Sequence, residues 1–97
     1  MNQPKYVLIE NNKAASEPSE AAFILCTRNP KFIAEIKKFR TLSTMDEYVP
    51  TNQYIQIRKN LPVILEVSEI EENFNEKELA NALKYMAKWY FYNCLQR

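Results

Sequence analysis

The sequence predicts an α+β fold with the order ββαββα. A four-stranded, mainly antiparallel sheet would carry two helices packed on one face. Three observations predict it. Four short stretches rich in β-branched and aromatic residues are separated by polar breaks containing Asn or Pro. Two other stretches open on asparagine and then carry apolar residues at helical spacing. The chain has 97 residues, 46% hydrophobic and 26% charged, which suits a single globular domain spanning 1–97.

Residues 5–10, "KYVLIE", read as the first strand. The polar run 11–20, "NNKAASEPSE", reads as an exposed loop, with asparagine replacing glycine in the turns. Residues 21–27, "AAFILCT", are apolar on both faces and read as a central strand paired back on the first. In "RNPKFIAEIKKFRTL", Asn29 suits an N-cap and Pro30 the first helical position. Phe32, Ile36 and Phe39 follow at i, i+4 and i+7, with Ile33 widening the stripe. This spacing predicts a helix ending near 40–42. Residues 43–53 read as a connector broken by Pro50. Residues 54–59 alternate, Ile55 and Ile57 against Gln56 and Arg58, and read as a strand. Residues 63–70, "VILEVSEI", read as a further strand with Val63, Leu65 and Val67 on one face. The sheet face away from the helices is expected to be open to solvent or to a partner.

The last helix has a clear start. Asn75 is the expected N-cap, Glu78 stands at capping-box spacing, and Phe74 and Leu79 match a hydrophobic staple. At 100° per residue, Leu79, Leu83, Met86, Tyr90 and Cys94 form a core stripe, flanked by Ala82 and Ala87 with Phe91 at its edge. Tyr85, Trp89 and Tyr92 fall on a second ridge, with Lys88 beside them. A two-layer domain covers one side of such a helix, so this ridge is a candidate exposed patch. Exposed aromatic patches mark interfaces, where Trp and Tyr are favoured anchors. The alternative is that these rings lie at the core margin with wet polar tips. A homodimer is the default partner.

Composition removes several chemistries. There is no glycine and no histidine. Glycine-rich phosphate loops and His-dependent catalytic sites are therefore excluded, and the commonest neutral metal ligand is missing. Cys26 precedes the expected helix N-terminus beside Arg28, which would lower a thiol pKa. The sequence offers that thiol no base or oxyanion site. Its alternation with Ala22 and Ile24 reads as strand packing, and Cys94 reads as a free core residue. No enzyme activity, cofactor or metal is expected. Two cysteines are too few for a disulfide framework, no apolar run approaches the ~20 residues of a membrane span, and the chain is expected to be cytoplasmic.

Net charge is +1, but its distribution is uneven. Arg28, Lys31, Lys37, Lys38 and Arg40 face a single acid, Glu35, within 28–40. Six glutamates face only Lys77 within 66–78. Solvated faces explain such patterns in most proteins. The functional expectation is a small non-catalytic interaction or regulatory module that self-associates through the aromatic helix, the free sheet face, or both. The alternative is nucleic-acid binding by a basic helix over 31–40 with the Lys84/Lys88 face.

Overall fold

The computed structural model describes residues 4–10, 22–28, 30–71 and 74–95. The expected loop 11–20 and the Asn29 cap lie outside them. Five strands form one sheet in the order β1-β2-β3-β5-β4, and every pairing is antiparallel. They are β1 (Tyr6–Glu10), β2 (Ala22–Cys26), β3 (Phe32–Lys38), β4 (Tyr54–Gln56) and β5 (Val63–Ile70). The helices are α1 (Leu42–Glu47) and α2 (Glu76–Tyr90), and α2 runs into a π-helical turn, Phe91–Leu95.

The main correction is β3. The segment expected to be a helix over 30–42 is a strand between β2 and β5. Phe32 and Ile36 satisfy both periods, because positions four apart share a face in a helix and in a strand. Ala34 decides between them. It is buried with Phe32 and Ile36, while Ile33, Glu35 and Lys37 between them are only half-buried. Paired on both sides, β3 satisfies its backbone in the ladder and needs no cap. Ser68 is left over where Ile33 faces Glu69 and Ala34 faces Val67, so β5 bulges there.

The connector is also corrected in part. It holds α1, whose N-cap Thr41 accepts a 3.1 Å hydrogen bond from the Thr44 amide. No α1 residue is buried, so α1 is not a second core helix. Instead, Met45 lines a small recess with Ile64, which points away from α2. The helices therefore do not share one face.

One sheet face packs on α2. Ile24, Cys26, Phe32, Ala34, Ile36, Leu65 and Val67 meet Leu79, Leu83, Met86, Ala87 and Tyr90 in one core. Full burial of the Ile, Leu, Val, Phe and Met side chains among them stabilises by about 1.5–3 kcal/mol each. The second face carries Val7, Ile9, Phe23, Leu25 and Ile33 at the β1–β3 end, and Glu35, Lys37, Ile64 and Glu66 at the other. Strand β5 is covered on both faces across 64–67.

Candidate interaction surface

Helix α2 forms where its cap and stripe place it. The Asn75 side chain accepts from the amides of Lys77 (2.8 Å) and Glu78 (3.4 Å). Glu76 and Glu78 lie in its first turn and Lys88 in its last, both favourable to the helix dipole. Leu79, Leu83, Met86, Ala87 and Tyr90 are buried, whereas Cys94 is only half-buried. Phe74, the expected staple residue, keeps 43% of its surface exposed.

The predicted aromatic ridge does not stay together. Tyr85 is 58% and Tyr92 56% exposed, and Lys88 is exposed beside them. Trp89 is half-buried against the core and stacks on Tyr6 of β1, ring centroids 5.3 Å apart. Lys5 lies 5.4 Å from the Tyr6 ring and 5.9 Å from that of Tyr85, within cation–π range. Burial, then the neighbouring Cys26 and Tyr85, push the Tyr6 hydroxyl above its usual pKa. Tyr92 turns instead to the β4 side. Arg58 donates to its hydroxyl at 3.2 Å and lies 4.1 Å from the Phe91 ring centroid. Strands β1 and β4 are the two sheet edges, so the rings divide between opposite flanks. The π turn contributes to this, because a wider turn rotates Tyr92 away from ideal α spacing.

The predicted basic helix face does not exist. Arg28, Lys31, Lys38 and Arg40 are exposed along β3 and its flanks rather than on a helix. Lys37 is half-buried on the second sheet face. Its ammonium pairs with Glu35 at 3.4 Å and lies 5.2 Å from the Tyr48 ring. Burial alone would lower the Lys37 pKa; Glu35 and Tyr48 together outweigh it and raise it. Cys26 is buried, and its thiol donates to the Arg28 carbonyl oxygen at 3.4 Å. Neither Cys26 nor Cys94 is in a disulfide.

Sequence reasoning missed Glu66, a charged residue only 4% exposed in the middle of β5. Its carboxylate accepts from the Tyr48 hydroxyl, the Thr51 amide (2.9 Å), the Thr51 hydroxyl (3.2 Å) and the Asn52 amide (3.1 Å). Burial pushes its pKa up, but these donors outweigh burial and hold it below the usual value. The bond to Glu66 in turn raises the Tyr48 pKa. This carboxylate ties the 48–52 segment to the sheet. The only hint was a glutamate interrupting an apolar strand.

Comparison with models of protein families, with curated proteins and with solved structures gives no match. Among the described residues, no three Cys, Asp or Glu side chains gather as a metal-ligand set, and no helix is long and apolar enough to cross a membrane.

Proposed function

We propose that this chain is a small non-catalytic interaction module that self-associates through the outward face of α2, as a twofold dimer with antiparallel helices. One observation carries the reading. Phe74, just before the Asn75 cap, and Tyr85 on α2 are strongly exposed, and the helix has an acidic first turn and later turns that carry Lys84 and Lys88. Such a face is self-complementary. About a twofold axis at position 83, Glu78 of one copy approaches Lys88 of the other, and the two Tyr85 rings lie near the axis. The helix dipoles are then opposed, and each contact is made twice. The free sheet face supports the reading less well, because among Val7, Ile9, Phe23, Leu25 and Ile33 only Ile9 is strongly exposed.

Sedimentation equilibrium between about 1 and about 100 μM, where a small interface dissociates, is the direct test. Dimer formation is expected, with Tyr85→Glu monomeric and its helix content unchanged. Lys88→Glu should weaken the dimer and Glu78→Lys added to it should restore it, because the swap re-pairs the charges. A monomer across the whole range would overturn the proposal, and so would a dimer indifferent to Tyr85→Glu.

A further inference from the structure

We infer that the cleft between the β4 edge and the last turns of α2 is a binding site for a small amphipathic anion, a flat apolar body carrying a carboxylate or phosphate. Its volume is about 290 Å³. That lies at the lower limit of small-molecule sites, which run from about 300 Å³, and suits one ring with its charged group. Buried Ile57 and Ala87 form the apolar floor, with Phe91 half-buried beside them. Exposed Arg58, Lys84 and Lys88 stand around it, and among the described residues no acidic side chain lines the cleft.

Among the described residues this charge is not balanced by an acid. Neither Lys84 nor Lys88 forms an ion pair with any described residue, and Arg58 engages rings and a hydroxyl rather than a carboxylate. Arg58 is nonetheless held in place, by the Phe91 face at 4.1 Å and the Tyr92 hydroxyl at 3.2 Å. A guanidinium fixed by two contacts loses little freedom on binding and keeps donors for an anion. The two lysines add charge on the α2 side. An apolar floor, an aromatic wall and three cations favour a ligand with both characters over a bare ion or a neutral ring.

The inference goes beyond self-association and does not require it. It is tested by titrating the ¹⁵N-labelled protein with phenyl phosphate, and in parallel with inorganic phosphate and with benzyl alcohol. Saturable shifts are expected around Gln56–Arg58 and Ala87–Tyr92, at least about tenfold tighter for phenyl phosphate than for either partial probe. Arg58→Gln should weaken binding at least about tenfold, the loss of a charge-assisted contact, with amide shifts elsewhere unchanged. Lys84→Gln/Lys88→Gln checks the charge from the helix side, independently of Arg58. Lys88 is shared with the proposed dimer, so monomeric Tyr85→Glu should bind at least as tightly as the wild type, and loss of binding in that variant would overturn the inference. Equal binding of inorganic phosphate or benzyl alcohol, non-saturating shifts, or wild-type affinity in Arg58→Gln would each overturn the inference.

Discussion

The two faces of the sheet are stabilised by different physics. The buried core under α2 is built from apolar side chains, with no charged residue among the described ones. The opposite face is organised at the β5 end by one buried carboxylate with four hydrogen bonds. The apolar face is non-directional and depends on volume. The polar end is directional and depends on every donor being present, because an unpaired buried charge costs several kcal/mol. The first should respond to lost methylenes and the second to lost protons or donors.

The largest effect is expected from the apolar face. Leu83 is among the most buried side chains of α2 and contacts the core directly. Leu83→Ala should cost about 2–5 kcal/mol in urea unfolding, through lost transfer energy and the cavity left behind. A domain of this size holds only about 5–15 kcal/mol in total, so Tm should fall by roughly 10 °C or more. A cost below about 1 kcal/mol would mean that α2 does not close the core.

Glu66→Gln probes the opposite face. The amide keeps the shape, but it adds two donors where the site supplies only donors, and it accepts more weakly. A loss of about 1–3 kcal/mol at neutral pH is expected. The pH dependence follows from the lowered Glu66 pKa. Protonation is easier in the unfolded chain, so the wild type keeps this stabilisation above the ordinary carboxylate value of 4.5. It loses the stabilisation as pH falls below that value and through the folded-state pKa. The gap between wild type and Glu66→Gln should therefore close in acid. A gap that stays constant with pH would show that the carboxylate charge does not hold the 48–52 segment. Leu83→Ala should show no such convergence, which separates the two faces experimentally.

The same contrast explains what the sequence disclosed. Strand β5 was legible at both ends, and β1, β2, β4 and α2 were legible in type, because each pattern is local. Asn75 announced its helix through residues two and three positions away. Segment 30–42 misled because Phe32 and Ile36 fit either period, while Asn29 and Pro30 imitate a helix start. Deciding required a partner on each side, and those partners are β2 and β5. Helix α1 has no buried residue and thus no apolar stripe to read. Glu66 was illegible for a related reason, since its donors lie 14 to 18 residues away in the chain. Of the ridge Tyr85, Trp89 and Tyr92, the first and last are exposed, whereas Trp89 packs half-buried against the core. This division of the ridge was hidden because Tyr6, Arg58 and a π turn decide it.

The smallest effect sharpens the comparison within the second face. Lys37 and Glu35 pair at 3.4 Å, but both side chains keep substantial contact with water. Water screens the pair, and holding two long side chains together costs entropy, so such bridges contribute about 0–1 kcal/mol. Lys37→Met keeps the stem over Tyr48 and removes the charge. It should change stability by less than about 1 kcal/mol, with a difference that shrinks further as salt screens the exposed charges. Glu66→Gln, beside it on the same face, should be far less sensitive to salt because its carboxylate is buried among fixed donors. Urea unfolding of both variants at low and high ionic strength separates them. Equal salt sensitivity would mean that burial does not distinguish the two sites, and that the second face is a solvated charge network rather than a staple built around one carboxylate.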